Sequence, residues 1–157
     1  MSPIPHGPRG MYFEEFEPGQ KIVSAGRTVS ESDIISFAGL SGDFNQIHVD
    51  AEFSKTSLAG RRVAHGILGL SIASGLLVQT GLMDQTVIFF REITEWKFLK
   101  PIFIGDTIHV EAEVMETKEM RRLNAGMVTI ELSVLNQESD VVQKGSWVVL
   151  VALKAAS

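Results

Sequence analysis

The segment from residue 66 to residue 80 most constrains the fold, because it is strongly apolar and contains no Asp, Glu, Lys or Arg. A helix without a charged face has to be enclosed by other elements. Its most apolar run, residues 67–78, is interrupted only by Ser71 and Ser74. That run is too short to cross a bilayer, which requires about 20 residues. We therefore predict a buried helix over residues 66–80, ended by Gly81.

The chain that follows this helix has the pattern of antiparallel strands. Residues 107–117, 127–135 and 141–153 alternate between apolar and polar side chains, and two shorter β-rich runs, 87–90 and 95–99, precede them. Long antiparallel strands joined by short turns form a sheet with one face to cover, and the apolar helix can cover it. The predicted class is therefore α+β, with one curved antiparallel sheet wrapped around a central helix.

Short elements surround a polar loop ahead of the central helix. A strand is predicted within residues 21–29. Ser30 is a suitable N-cap for a first helix, and Gly42 is a suitable residue to end it. Residues 50–55 predict a further short helix. The polar loop, residues 43–48, therefore lies between two helices that hold its ends.

Length and N-terminal composition predict one domain behind a short tail. The 157 residues are 45% apolar and 21% charged, which is ordinary for a single globular domain. Residues 1–10 contain three prolines and predict a flexible tail, ahead of a single domain over residues 11–157. The tail lacks the apolar core of a secretory signal, so the expected compartment is the cytoplasm.

Charge and cysteine content exclude several classes of partner. A net charge of −5 argues against nucleic acid, whose phosphates require a basic surface. No segment is long and apolar enough to predict a membrane partner. The absence of cysteine excludes disulfides and thiolate metal sites. The four histidines show no H-x-x-x-H spacing, so no metal is expected.

Asp43, Asn45 and His48 are the first candidate catalytic residues, because they lie within six positions of one another in the polar loop. A carboxylate and an imidazole can share one water, the carboxylate accepting a proton while the imidazole orients the water or relays another proton. Asn45 can hold one of them in place by hydrogen bonding. Asp-x-Asn after glycine is also typical of a turn that bonds its own backbone, so the pattern alone leaves both interpretations open.

His65 and Gly66 stand at the predicted start of the central helix. A helix N-terminus presents unpaired N–H groups and the positive end of a dipole, and glycine allows a ligand carbonyl to approach the backbone closely. Such a site can act as an oxyanion hole for a thioester enolate. The alternative is a tight entry to the helix, with His65 as a buried structural residue.

The central helix itself supplies backbone and packing rather than a charged nucleophile. Gly69 and Gly75 each cost the helix about 1 kcal/mol relative to alanine. They indicate close packing of the sheet or of a partner against the helix, or room for a substrate. Arg61 and Arg62 precede the helix and are candidates to pair with ligand phosphates, although an exposed loop pair explains them equally well.

At this point the sequence resembles the MaoC-like dehydratases, also called (R)-specific enoyl-CoA hydratases. The resemblance is carried by residues 37–48, Ser54 and residues 63–66. The family's hydratase motif is approximately G-D-x-N-P-[LIV]-H-x5-[AS]. Gln46 stands where the family usually has proline, which could loosen the loop but removes no reactive group. The motif is matched at Gly42, Asp43, Asn45, Ile47, His48 and Ser54.

The resemblance implies a hot-dog fold, in which the sheet wraps a long central helix. The implied assembly is a homodimer whose sheets join near the active sites, or a higher homo-oligomer of such dimers. It also implies reversible hydration of a trans-2-enoyl thioester to the (R)-3-hydroxyacyl thioester. Asp43 and His48 would activate water, and the Gly66 N–H would polarise the thioester carbonyl. The expected substrate is an acyl-CoA of fatty acid metabolism, and no other cofactor is expected. The candidate substrate-binding residues are His65, Ser74, Arg61 and Arg62, of which the resemblance supplies Ser74.

Two other functions remain open for a chain of this type. Many hot-dog acyl-CoA thioesterases use a carboxylate on or near the central helix, whereas residues 66–80 contain none. A non-catalytic acyl-binding subunit would be expected to lack Asp43 or His48, and both are present. The sequence therefore favours the hydratase over the thioesterase and over the acyl-binding subunit.

Overall fold

A computed structural model describes residues 9–155 and contains four α-helices, six strands and two 3-10 turns in that range. The helices are α1 (Glu31–Ser41), α2 (Gln46–Val49), α3 (Ala51–Ser54) and α4 (Gly66–Val78), and the 3-10 turns cover Phe13–Glu15 and Arg121–Leu123. The strands are β1 (Lys21–Val23), β2 (Arg27–Thr28), β3 (Val87–Phe98), β4 (Thr107–Met120), β5 (Ala125–Leu135) and β6 (Val141–Ala152).

The strands form one antiparallel sheet in the order β1-β4-β5-β6-β3, with β2 paired to the start of β4. The central strands are joined by short connections, so sequence neighbours pair directly. One row of paired residues crosses them from Val114 to Ile130 to Trp147. β3 pairs only with β6 and therefore forms an edge of the sheet.

α4 lies against one face of this sheet and provides the centre of the core. Six of its 13 residues are buried, whereas Ile67 and Val78 are each 53% exposed, so the helix predicted to be buried is enclosed on one side only. The inward positions of β4 are fully enclosed, among them Ile108, Val110 and Val114. Each large aliphatic side chain removed from water in this way contributes about 1.5–3 kcal/mol. The predicted α+β class and the hot-dog arrangement are confirmed.

The two glycines inside α4 differ in their surroundings. A Cβ at Gly69 would overlap the side-chain amide of Gln143 and come within 2.8 Å of Ile102. Close packing against the sheet is therefore the reason for glycine at this position. A Cβ added at Gly75 would meet no atom within 4 Å. α4 ends at Val78, slightly earlier than predicted, and Gly81 follows with a φ of 75°.

α1 begins and ends as its sequence predicts. The Ser30 hydroxyl accepts a hydrogen bond from the Asp33 N–H, and the Asp33 carboxylate accepts one from the Ser30 N–H. Although partial burial opposes ionisation, the bonds from Ser30 and the Arg27 guanidinium hold the pKa of Asp33 below its ordinary value. Gly42 ends the helix with a φ of 80°, in the left-handed region that glycine tolerates.

β3 is one strand of 12 residues, where the sequence predicts two short runs. Its pairing with β6 shifts register at three places, and Glu95 at the last of them has a φ of 52°. Such bulges interrupt the alternation of side chains, which is why the sequence pattern divides there. The strand predicted within residues 21–29 is likewise two short strands, β1 and β2, both paired with β4.

The described chain begins with residues that are bonded to the domain. The Gly10 N–H donates to the Asp84 carbonyl at 2.7 Å, and the Arg9 guanidinium donates to the Glu15 carboxylate at 2.8 Å. Residues 1–8 of the predicted tail lie outside the described residues. Among the helices that the structure describes, none is long and apolar enough to cross a membrane.

Candidate active site

The loop that carries Asp43 is fixed by hydrogen bonds between near neighbours. The Asn45 N–H donates to Asp43 Oδ1 at 3.1 Å, and Asn45 Oδ1 accepts from the Ile47 N–H at 3.2 Å. Asn45 is thus the N-cap of α2, and part of the predicted loop is one turn of helix that contains His48. Asn45 holds Asp43 through its backbone rather than its side chain, which leaves Asp43 Oδ2 free of this bond.

His48 is 7% exposed and is oriented by the chain segment before α4. Its Nδ1 lies 2.7 Å from the Val63 carbonyl oxygen. A carbonyl can only accept, so Nδ1 carries the proton of this bond. In the neutral ring Nε2 then has a free lone pair, and it faces Asp43 Oδ2 at 3.9 Å. This is the tautomer that a histidine base requires.

The 3.9 Å between Asp43 Oδ2 and His48 Nε2 is too long for a direct hydrogen bond. It is short enough for one bridging oxygen atom to bond both groups. The Asp43 side chain is half exposed and that of His48 is almost fully buried. The pair therefore presents two proton acceptors to one position at the edge of the protein.

His65 connects this pair to α4. Its ring is 2% exposed, it stacks on the His48 ring with centroids 3.8 Å apart, and its Nε2 lies 2.8 Å from the Asp43 carbonyl oxygen. That oxygen can only accept, so Nε2 carries a proton. His65 is also the N-cap residue of α4. The two segments of the candidate site therefore meet at this side chain.

The first turn of α4 has no side-chain cap, since His65 makes no capping hydrogen bond. Its N–H groups are therefore available to a ligand oxygen, with the positive end of the helix dipole behind them. The Phe98 ring covers the Cα of Gly66, and a Cβ there would come within 2.8 Å of the ring. A side chain at this position would therefore have to displace the Phe98 ring of β3, and glycine is also suited to the close approach of a carbonyl.

Comparison with known proteins agrees with the fold. The sequence profile of the MaoC-like domain matches residues 14–136. This chain belongs to the MaoC-like domain family. A solved structure described as a monoamine oxidase regulatory protein from Archaeoglobus fulgius is 39% identical, with a TM-score of 0.87 over 94% of this chain and 97% of that one.

Two named relatives match shorter parts of this MaoC-like chain. The (R)-specific enoyl-CoA hydratase of Rhodospirillum rubrum is 40% identical over 97 residues, which are 62% of this chain and 65% of that protein. Protein MaoC of Klebsiella aerogenes is 40% identical over 99 residues, 63% of this chain. The match spans only 29% of Protein MaoC. Both relatives are thus matched over less than two thirds of their length.

The two arginines of this MaoC-like chain lie in different environments. The Arg62 Nε–H donates to the His48 carbonyl at 2.7 Å, and its Nη1 pairs with Glu31 at the start of α1. The Arg61 guanidinium instead stacks over the Phe103 ring, 3.7 Å from its centroid. Arg62 therefore braces the candidate site. Arg61 is exposed and faces a cavity of about 310 Å³ that Lys55 also lines.

Ser74 lies on the exposed side of α4, two turns from Gly66. It lines a second cavity, of about 290 Å³, between α4 and the sheet. Most of the surrounding side chains are large and apolar, which suits an acyl chain. The other lining residues are Leu70, Ser71, Phe90, Ile93 and Trp147.

A metal ion is the other ligand to consider, because donor atoms of Asp43, His48 and His65 lie within 4.8 Å of one another. Two of the four ring nitrogens are already bonded to carbonyl oxygens. An imidazole binds a metal in the plane of its ring, and the two rings are stacked with 27° between their planes. Their lone pairs do not converge, so these side chains fit a chelated metal poorly.

Sequence reasoning missed Gln143, which is 2% exposed in β6. Its Nε2–H donates to the Gly66 carbonyl at 3.0 Å, and its Oε1 accepts from the Trp96 indole N–H at 3.2 Å. One signal was available. Gln143 shares the strand phase of Gly145 and Trp147, which places it on the same face as a large apolar residue, where an amide needs partners.

Proposed function

We propose that this chain reversibly hydrates trans-2-enoyl thioesters to (R)-3-hydroxyacyl thioesters, with Asp43 and His48 activating the water. The observation that carries the proposal is the placement of His65, which packs on His48, bonds the Asp43 carbonyl and begins α4. A water-activating pair is thereby held beside an uncapped helix N-terminus. Addition of water to a conjugated thioester requires both of these components.

In the proposed reaction the thioester oxygen accepts a hydrogen bond from the Gly66 N–H, which withdraws electrons from the β carbon. A water between Asp43 Oδ2 and His48 Nε2 loses one proton to the pair as its oxygen bonds to the β carbon. The π electrons move toward the thioester oxygen and form an enolate, which the helix dipole stabilises. A proton from the pair then reaches the α carbon on the same face, and the pair returns to its starting state.

Substrate recognition is proposed to use the two cavities beside this site. The acyl chain would enter the apolar cavity lined by Ser74 and Trp147. The phosphates of coenzyme A would lie near Arg61 and Lys55, whose charges are exposed. Because Arg62 is bonded to His48 and Glu31, its proposed contribution is chiefly to hold the site. The reaction requires no redox cofactor or metal, since it adds the elements of water without net oxidation.

We further propose that the active form is a homodimer joined through β3. Edge strands with apolar side chains are normally covered in a native protein. Five large apolar residues of this edge are 40–50% exposed, and sedimentation equilibrium would measure whether they are covered by a second copy. They are Val87, Ile88, Phe89, Phe90 and Ile93.

The test is incubation of the purified protein with crotonyl-CoA, following the loss of enoyl-thioester absorbance and coupling the product to an (R)-specific dehydrogenase. Absorbance loss with an (R) product is the expected result. Release of free thiol without hydration would replace the proposal with a thioesterase. If neither signal appears with crotonyl-CoA or with a panel of longer and branched enoyl thioesters, the proposed hydratase activity is wrong and an acyl-binding role is favoured.

A further inference from the structure

We propose that Gln143 is a positioning residue that sets the direction of the Gly66 N–H. The inference rests on the proposed function, because that N–H is the group proposed to polarise the thioester carbonyl. Gln143 has no direct contact with the Asp43 and His48 side chains among the described hydrogen bonds and acts through the backbone of α4. It also lies beyond residues 14–136, where the family profile matches.

The two partners of Gln143 leave its amide only one orientation. A backbone carbonyl can only accept, so the Gly66 oxygen requires the amide N–H. The Trp96 indole N–H can only donate, so it requires the amide oxygen. With Gln143 2% exposed, water has little access to replace either bond. The side chain is therefore a rigid link from β3, through β6, to the first residue of α4.

Two glycines provide the space for this link. A Cβ at Gly69 would overlap the amide nitrogen of Gln143, so alanine at Gly69 would push the amide away from α4. A Cβ at Gly145 would come within 2.8 Å of the Trp96 Cα and 2.7 Å of its ring. The backbone of α4 at Gly69 thus makes room for Gln143, and the backbone of β6 at Gly145 makes room for Trp96. If Gln143 and Trp96 only filled a gap in the core, neither glycine would be needed to make room for them.

Gly66 needs such a restraint because glycine has the widest range of backbone angles. Its N–H lies in the His65–Gly66 peptide plane, and the orientation of that plane is coupled to the next plane, which carries the Gly66 carbonyl, through the φ and ψ angles of Gly66. On one side His65 is fixed by its stacking on His48 and its bond to Asp43. On the other side Gln143 fixes the Gly66 carbonyl. The glycine that the Phe98 ring covers is therefore held from both ends.

Loss of this link should affect the rate more than substrate affinity. The strength of an N–H hydrogen bond falls steeply as its angle departs from linear. Negative charge develops on the thioester oxygen only as the reaction approaches the enolate, so a misdirected N–H removes stabilisation mainly from the transition state and the enolate. A change in kcat with little change in KM is the expected signature.

The experiment measures kcat and KM for crotonyl-CoA in Gln143→Met, which keeps the length of the side chain but cannot donate to the Gly66 carbonyl. We expect kcat to fall about tenfold, less than the 10²–10³ typical of losing an oxyanion donor, with KM within about twofold. Trp96→Phe leaves the Gln143 donor in place but frees its oxygen, and should lower kcat about threefold. Val149→Ala, further along β6 in the core, is the control for lost stability and should leave kcat unchanged.

The proposal is overturned if Gln143→Met keeps the wild-type kcat per folded molecule, or if Val149→Ala loses as much kcat. If Gln143→Met does not fold, an unchanged kcat in Trp96→Phe overturns it instead. A wild-type protein without activity would refute the proposed function separately. In that case the amide NMR signal of Gly66 decides, since we expect it to shift and its hydrogen to exchange faster in Gln143→Met or Trp96→Phe. An unchanged signal contradicts the role of Gln143.

Discussion

The two halves of the candidate site are held by different kinds of contact. In the loop, the Asn45 N–H bonds Asp43 and the Ile47 N–H bonds Asn45, each across two residues. The start of α4 is held from β3 and β6, by the Phe98 ring and by Gln143, which is 77 residues away. The Asp43 carboxylate is therefore arranged by local sequence, whereas His48 is oriented by Val63 and the group that polarises the carbonyl is arranged by tertiary packing.

This difference leads to different expectations for the two halves. A substitution of the Asp43 side chain should change the chemistry and leave the fold intact, because that side chain is half exposed and its hydrogen bond is to the nearby Asn45 N–H. A substitution at the start of α4 should change both, since the sheet packs directly against it. Variants whose kcat and stability are both measured can therefore test whether the loop and the start of α4 differ in this way.

The largest effect is expected for Asp43→Asn, which removes the charge while the amide oxygen can still accept from the Asn45 N–H. Turnover of crotonyl-CoA should fall about 10²–10⁴-fold, the usual range for losing a proton-transfer group, with an unchanged melting temperature. Steady-state kinetics and thermal unfolding check both expectations.

The matched control is Asp50→Asn, at an acid whose carboxylate caps α3 through the Phe53 N–H at 2.9 Å. Asparagine is an equally good N-cap, so rate and stability should both remain normal. Near-normal turnover in Asp43→Asn would remove Asp43 from the mechanism.

A smaller effect is expected for Gly66→Ala, whose Cβ would press on the Phe98 ring. Displacing the first turn by about 1 Å can cost about 10²-fold in rate, and the strain should also lower stability. Adding Phe98→Leu should recover part of the rate, because leucine leaves room for the new methyl group.

Gly75→Ala is the control within the same helix, where the added Cβ meets open space. It should leave the rate unchanged and raise stability by about 0.5–1 kcal/mol, read from chemical denaturation. If Gly66→Ala keeps the full rate, the Gly66 N–H does not polarise the carbonyl.

The smallest effects should distinguish the neighbouring arginines. Arg62→Met removes the donor to the His48 carbonyl and should cost about 1–3 kcal/mol of unfolding free energy and lower kcat. Arg61→Met removes an exposed charge and should raise KM for a CoA thioester about fivefold at constant kcat, equivalent to about 1 kcal/mol. If KM rises in Arg62→Met and stays normal in Arg61→Met, the phosphates do not bind at Arg61.

The sequence was sufficient to predict what depends on local pattern. The capping of α1 by Ser30 and the burial of one side of α4 followed from residues within those segments. The juxtaposition of Asp43 and His48 followed from their spacing and from the family resemblance. Each of these features is determined within one or two turns of chain.

Features that depend on distant contacts were not accessible in this way. The bulges of β3 interrupt its alternation, so the continuous strand could not be recognised. The different environments of Arg61 and Arg62 arise from contacts with Phe103 and Glu31, and neither contact can be recognised from the residues next to the arginines. The amide of Gln143 could be identified as buried from its strand phase, but its partner at Gly66 could not.

The position of β6 in the sheet determines where the chain can be shortened without loss of the fold. The family profile ends at residue 136, yet β6 (Val141–Ala152) is inserted between β5 and β3. A shortened chain that stopped at that limit would lose the strand that connects β3 to the rest of the sheet. The limits of the family profile and the limits of the segment able to fold thus differ in this protein, and fusion or truncation should respect the second.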